Sequence, residues 1–123
     1  MIRLLLLLAL CRPAIAQTPD QMRWYVLVLL EKGGQTDQPK AEADKLQAAH
    51  LANMTKLAKE GKLILAGPVA DAGDTRGIFV FNTGSLEEAR QWCDGDPAVQ
   101  AGRLKCRMMR WYSMKGIGIL PEK

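Results

Sequence analysis

The sequence predicts an α+β domain, because segments with strand and helix periodicity follow in the order strand, helix, strand, strand, helix, strand. Two short apolar segments rich in aromatic and β-branched residues, 24–30 and 77–82, indicate buried strands. Residues 40–59 instead repeat their apolar side chains with helical spacing. This order is the split βαβ arrangement (βαββαβ) of ferredoxin-like folds, with a four-stranded antiparallel sheet and two helices on one of its faces.

The first predicted strand carries apolar side chains on both of its faces. Alternate residues of a strand point to opposite faces of the sheet. One face has Trp24, Val26, Val28 and Leu30, and the other has Tyr25, Leu27 and Leu29. A strand with one face in water would alternate apolar and polar residues, so this strand is expected to be buried on both. The third strand, 77–82, has the same character.

The first helix is predicted over residues 40–59, with its lysines on the arc opposite to its apolar residues. Gly61 is predicted to end this helix, because glycine is favoured just after a helix C-terminus. A short second strand, 62–66, follows. It is expected to end at Gly67 and Pro68, since both residue types are disfavoured inside strands.

The second helix is predicted to begin after Ser85, because Ser85 and Glu88 have the spacing of a capping box. Asp94-Gly95 ends this helix, and Asp96-Pro97 can begin a further short turn. A fourth strand is predicted over residues 103–112. The chain therefore has one domain with a ferredoxin-like order of elements.

Two helices can cover only one face of a four-stranded sheet, and yet two of the strands are apolar on both faces. The uncovered face requires a partner, because large apolar surfaces are rarely left in water. A second copy of the chain is the expected partner, since twofold homodimers are the commonest oligomers. The alternative is that the C-terminal tail folds over this face.

Residues 1–16 have the features of a secretory signal peptide. Arg3 supplies the positive start, leucines dominate residues 4–10, and residues 14–16 (Ala-Ile-Ala) supply the pattern that signal peptidase cleaves. Cleavage is predicted directly after this segment. It leaves residues 17–123 as a single exported domain, periplasmic or secreted.

Two alternatives to this interpretation are a membrane anchor and a lipoprotein signal at Leu8–Cys11. The apolar run is far shorter than the ~20 residues that span a bilayer, so no stable membrane insertion is expected after cleavage. The lipoprotein signal is disfavoured because a bulky leucine precedes Cys11 and an arginine follows it.

Composition excludes several classes of function. One histidine excludes a multi-histidine metal centre, and three cysteines without a CxxC pair argue against a zinc ribbon, so no metal is predicted. No nucleotide-binding loop is present, and no cofactor is expected. Cleavage would remove two of the 17 basic residues, leaving 15 against 13 acidic ones. Only Arg103, Lys105, Arg107 and Arg110 are grouped, so no nucleic-acid partner is predicted.

Cleavage would also remove Cys11 and leave two cysteines in an oxidising compartment. Cys93 falls in the last turn of the second helix and Cys106 midway along the fourth strand. These two cysteines are therefore candidates for a disulfide bond. The alternative is two buried, reduced cysteines that pack as small apolar residues.

Several short motifs together carry a resemblance to a known family. They are His50-Leu51, the GKLILAGP of residues 61–68, Gly77 at the start of a strand, the SLEEA of residues 85–89, and Asp96-Pro97 with Ala101-Gly102 after it. In this order the sequence resembles the YciI-like (YCII-related) family over residues 24–111.

The resemblance implies a homodimeric α+β barrel of ferredoxin-like protomers. It also implies a small-molecule pocket in which a helical histidine and an acidic partner have been proposed as catalytic. At least one related protein is a dehydrochlorinase of a chlorinated hydroxyquinol. Relatives often carry an aspartate just after the first strand, where this chain has Glu31.

The candidate catalytic residues are His50 and Asp96. Helical periodicity turns His50 inward, although such a histidine can simply be a satisfied core residue. Asp96 before a proline also has the pattern of a plain helix cap. The resemblance raises both residues to a catalytic pair, in which the carboxylate orients the imidazole, and it brings Gly67 and Pro68 to the rim of a substrate-binding pocket.

The sequence therefore supports a cofactor-free enzyme that uses His50 for acid/base chemistry on a small molecule. The alternative is a periplasmic binding or accessory module that has a pocket but no chemistry. Haem handling is a third interpretation, which rests only on analogy with other dimeric α+β barrels.

Overall fold

The computed structural model describes residues 19–116. After a 3-10 turn at Pro19–Gln21, its elements are β1 (Met22–Lys32), α1 (Lys40–Lys59), β2 (Leu63–Pro68), β3 (Thr75–Phe81), α2 (Leu86–Asp94), α3 (Pro97–Gln100) and β4 (Leu104–Met114). The predicted α+β class, a four-stranded antiparallel sheet with helices on one side, is confirmed. The predicted signal peptide, residues 1–16, lies outside the described residues. Within the part described, no helix is both long and apolar enough to cross a membrane.

The four strands form one antiparallel sheet in the order β2-β3-β1-β4. β1 is central, so Val28 lies opposite Phe79 of β3 on one side and opposite Met108 of β4 on the other. β1 and β4 pair along their whole length. β1 extends beyond its predicted bounds at both ends, whereas β4 begins one residue later and ends two residues later than predicted. They continue because each backbone finds hydrogen-bond partners on the other.

The end of the second strand differs from the prediction. Gly67 and Pro68 continue β2 instead of ending it, and they lie opposite Ile78 and Gly77 of β3. Proline is tolerated here because β2 is an edge strand, whose outer side needs no backbone N–H donor. Gly77 is required at this point, since a Cβ there would lie 2.9 Å from the carbonyl oxygen of Gly67.

The main core lies between the sheet and the two longer helices. The set of β1 residues that includes Val26 and Val28 faces the helices. Its buried partners are Phe79 and Phe81 from β3, Leu57 from α1, Leu63 from β2, and Ala89 and Cys93 from α2. Burial of these apolar side chains supplies the main favourable free energy of folding.

The opposite face of the sheet carries the second apolar set of β1. Tyr25, Leu27 and Leu29 point to this side, and residues directly opposite on neighbouring strands share it. These neighbours are Ile78 and Val80 from β3, and Arg107, Met109 and Trp111 from β4. The face is therefore mostly apolar across three strands, as β1 and β3 predict, with Arg107 as the charged exception.

A disulfide bond joins Cys93 of α2 to Cys106 of β4. The Cα atoms of the two cysteines are 6.7 Å apart, within the range that a disulfide spans. Cys93 is completely buried in the core. The bond thus attaches α2 covalently to the edge strand of the sheet.

We predict that the double variant Cys93→Ala/Cys106→Ala has a free energy of unfolding lower by about 3 kcal/mol, because the bond closes a short loop in the unfolded chain. Urea unfolding would measure this loss. Dithiothreitol should destabilise the wild-type protein by a similar amount and leave the variant unchanged. Equal stability of the wild type with and without reductant would contradict the prediction.

Candidate functional site

His50 lies on the face of α1 that packs against the sheet. Its residue is only 7% exposed, and its ring stacks on Phe79 of β3 with the ring centroids 5.9 Å apart and the planes 17° from parallel. The inward orientation predicted from helical periodicity is thus what the structure has. The aromatic contact holds one flat side of the imidazole against the sheet.

Asp96 is the N-cap of α3. Its backbone is extended, and its Oδ1 accepts a hydrogen bond of 2.9 Å from the backbone N–H of Ala98, while Pro97 occupies the first turn. The residue is 1% exposed. The cap pattern in the sequence therefore accounts for one carboxylate oxygen and leaves the other available.

The second oxygen of Asp96 joins it to His50. Oδ2 lies 2.7 Å from Nδ1 of His50, and it also accepts a hydrogen bond of 3.3 Å from Nδ2 of Asn53. An ionised carboxylate can only accept hydrogen bonds, so we assign the shared hydrogen to Nδ1. In the neutral imidazole, Nε2 then carries a lone pair.

A cavity of about 720 Å³ adjoins the imidazole. The wall includes His50 and Leu51 from α1 together with Gly67 and Pro68 from β2. Among residues 19–116, no hydrogen bond occupies Nε2 of His50. The predicted residues His50, Gly67 and Pro68 thus share one cavity, with Asp96 directly behind the histidine.

The remaining lining of the cavity divides into two kinds of side chain. Apolar contacts come from Leu30, Met54, Phe79, Ala98 and Leu104. Polar groups come from Lys32, Thr36, Gln47, Arg76 and Arg103. A small organic molecule with an apolar body and a few polar groups is the kind of ligand that such a cavity accommodates.

Sequence reasoning missed Asn53, although a signal for it was available. Asn53 lies three residues after His50 on α1, and residues with this spacing share a helix face. It missed the cavity arginines for a different reason. Arg76 and Arg103 are far apart in the chain, and Arg103, predicted to begin the fourth strand, lies directly before β4.

Glu31, at the position where relatives often carry an aspartate, takes no part in this cavity. It lies within β1 on the face opposite to His50. Its Oε1 accepts a hydrogen bond of 2.8 Å from Nε of Arg107, and Lys105 lies 4.0 Å from Oε2. Asp96 is therefore the acidic partner of the histidine.

A metal site would require several donor side chains close together. In the stretch that the structure describes, no group of three or more histidine, cysteine, aspartate or glutamate side chains is placed to bind a metal ion.

A family model of the YCII-related domain matches residues 22–111. The chain belongs to the YCII-related domain family. The predicted family is therefore confirmed. Two curated relatives, Protein YciI from Escherichia coli O6:H1 and Protein YciI from Shigella flexneri, are each 38% identical to this chain over 65 residues. That alignment covers 46% of this chain and 66% of each relative, just under two thirds of their length.

A solved structure similar to this member of the YCII-related family is 5-chloro-2-hydroxyhydroquinone dehydrochlorinase from Burkholderia phenoliruptrix AC1100, in complex with 2,5-dihydroxybenzoquinone. The two chains are 23% identical, with a TM-score of 0.49. The similarity covers 70% of this chain and 92% of the other.

We predict that Asp96→Ala lowers the free energy of unfolding by about 2–4 kcal/mol, since it removes a helix cap and leaves buried donors on His50 and Ala98 without acceptors. Chemical denaturation measures the loss. Asp94→Ala, which removes an exposed carboxylate from the same segment, should change stability by less than about 0.5 kcal/mol. Equal effects of the two substitutions would contradict the assigned contacts.

Proposed function

We propose that this protein is a cofactor-free enzyme that transfers protons to and from a small molecule, with His50 as the acid/base group and Asp96 as its orienting partner. One observation carries the proposal. The 2.7 Å contact between Nδ1 and the Asp96 carboxylate leaves Nε2 as the free nitrogen of an imidazole that borders the cavity.

In the proposed reaction, Nε2 of His50 accepts a proton from the bound substrate as a general base. The imidazolium that forms is stabilised by the Asp96 carboxylate, which stays ionised throughout. The same nitrogen then returns the proton to another atom of the substrate or to a leaving group. This cycle needs substrate within about 2.6–3.2 Å of Nε2, or one bridging water.

The fixed orientation of the imidazole supports this assignment. Phe79 stacks on the ring, Asp96 holds Nδ1, and Asn53 with Ala98 holds the carboxylate in turn. A base held in one orientation reacts without first losing rotational freedom, which lowers the entropic part of the barrier.

A binding module without chemistry is the second candidate. It is favoured by the observation that Asp96 has a complete structural role as the α3 cap. In that case His50 would donate or accept one hydrogen bond to a ligand and transfer no proton. Haem handling, the third interpretation from the sequence, is separated from both by a haem titration followed through Soret absorbance.

Export to the periplasm or beyond is part of the proposal. The predicted signal peptide supports it, and so does the Cys93–Cys106 disulfide, because such bonds persist in oxidising compartments and are rare in the cytosol. A homodimer is also part of the proposal, supported by the apolar sheet face opposite to the helices.

We predict that His50→Gln reduces turnover by about 10²–10⁴-fold with little change in KM, because it removes the general base and keeps a polar group in the cavity. Hydrogen–deuterium exchange into small carbonyl compounds and lactones in D₂O, followed by NMR, provides the measurement.

The matched control for this experiment is Asp94→Asn, which should retain full activity because its side chain lies outside the cavity. Asp96→Asn should lower turnover as well, since its amide can present a donor to Nδ1 and disturb the tautomer. Full activity of His50→Gln would leave only the binding module.

We predict that Leu27→Asp converts the dimer into a monomer, because it places a charge in the middle of the outward apolar face. Light scattering at micromolar concentration would show half the wild-type mass. Glu42→Lys, on the exposed side of α1, should leave the mass unchanged. A wild-type protein that is already monomeric would contradict the proposed dimer.

A further inference from the structure

Three basic side chains line the cavity from one end of the sheet. Lys32 ends β1, Arg76 lies at the start of β3, and Arg103 directly precedes β4. Because neighbouring strands of this sheet are antiparallel, the end of β1 lies beside the starts of β3 and β4. The topology therefore brings together three cations that are widely separated in the sequence. We name Lys32, Arg76 and Arg103 the cationic cluster.

No acidic side chain among residues 19–116 neutralises the positive charge of the cationic cluster. No carboxylate oxygen within residues 19–116 lies at ion-pair distance from any of its three side chains. The cavity lining contributed by those residues includes no aspartate or glutamate. Cations at a concave site with low-dielectric walls concentrate positive potential and attract anions.

Arg103 is held in place by a neutral group. Its Nη1 donates a hydrogen bond of 2.6 Å to Oε1 of Gln38, and Nε2 of Gln38 donates to the carbonyl oxygens of Gln35 and Ala101. The amide orients the guanidinium without cancelling its charge. Within the part of the chain that the structure describes, the other side-chain N–H groups of Arg103 have no partner, and an arginine fork suits the two oxygens of a carboxylate.

Arg76 reaches the cavity through an irregularity in the sheet. Leu30 lies opposite Gly77, but Glu31 lies opposite Thr75, so Arg76 is an extra residue with no partner on β1. Strict alternation would place it on the same face as Ile78, away from the helices. A bulge redirects a side chain, and here Arg76 lines the cavity.

The geometry points to an organic acid as the ligand of this cavity: its carboxylate binds to Arg76 and Arg103, with Lys32 adding charge, and its apolar body packs against Leu30, Met54 and Phe79. This inference deepens the proposed function, since it takes the cavity beside His50 as the binding site. It adds the class of ligand, which the pair of His50 and Asp96 does not specify.

Isothermal titration calorimetry with two matched probes tests the inference. Phenylacetate carries the carboxylate, and phenylacetamide has the same shape without the charge. Phenylacetate should bind at least about tenfold more tightly than the amide, because hydrogen bonds to charged groups are the stronger ones. The preference should weaken as the salt concentration rises.

Substitutions of single arginines and of the pair show which side chains bind the carboxylate. Arg76→Gln/Arg103→Gln should remove the preference for phenylacetate and leave binding of the amide unchanged. Arg76→Gln alone is the second variant, since Arg76 is exposed and its removal leaves the Arg103–Gln38 contact intact. It should lose part of the preference. Arg110→Gln makes the same change of charge outside the cavity, against the ring of Trp24, and should bind as the wild type does.

Three other results would each contradict the inference, and each would point to a different cause. Equal binding of phenylacetate and phenylacetamide in the cavity would remove the role of charge and leave the proposed enzyme intact. Sulfate binding through the same arginines as tightly as phenylacetate would indicate an ion site only. A preference that survives the double substitution would place the anion elsewhere. The proposed chemistry fails separately, through the activity of His50→Gln, because that variant should still prefer phenylacetate.

Discussion

The carboxylate of Asp96 is the contact on which the site depends. One of its oxygens caps the N-terminus of α3, and the other accepts hydrogen bonds from two side chains of α1. It thus connects a short helix near the end of the fold to the long helix that carries the histidine. A single buried group determines both where the chain turns and how the imidazole is oriented. A structural role and a chemical role are therefore present together at this residue, and stability measurements alone do not separate them.

The sheet supplies the other half of the cavity by bringing the ends of its strands close together. Gly77 and Gly67 allow β2 and β3 to approach, and a Cβ at Gly33 would lie 2.0 Å from the carbonyl oxygen of Gly102. This second approach places the end of β1 directly beside the residue before β4. The three basic side chains consequently extend from one end of the hydrogen-bonded strands, which is a rigid support, and not from long loops. Sites on such a rigid support hold their geometry with little loss of entropy when a ligand binds.

Much of the fold follows from local patterns in the sequence. The helix over 40–59 was predicted at its observed bounds, since helical periodicity and the stop at Gly61 both have a clear physical origin. Ser85 caps α2 through a hydrogen bond to the backbone of Glu88, as the spacing indicates. Periodicity places His50 inward and the Asp96-Pro97 pattern marks a helix cap, but the resemblance to a family is what makes the two residues a candidate catalytic pair.

The rest depends on pairing between distant strands, which no local pattern contains. β2 extends to Pro68 because β3 continues to offer partners at the edge of the sheet. Arg76 lines the cavity because the ladder between β1 and β3 slips by one residue, and strand alternation would place it on the other face. Asn53 had a usable spacing to His50, but the spacing alone does not say that both would share one carboxylate.

The Cys93–Cys106 bond encloses more of the site than its position in the core suggests. The covalent ring that it closes includes Asp96, which orients the histidine, and Arg103, which belongs to the cationic cluster. A backbone hydrogen bond also holds Asp96 close to Cys93: the N–H of Asp96 donates to the carbonyl oxygen of Cys93 at a distance of 3.1 Å. Proteins open locally in cooperative units, and a cross-link restricts how far the segments of one unit can separate. Partial opening of α2 and α3 therefore leaves these two groups within one short covalent loop, so the site can close again without a long search for its parts.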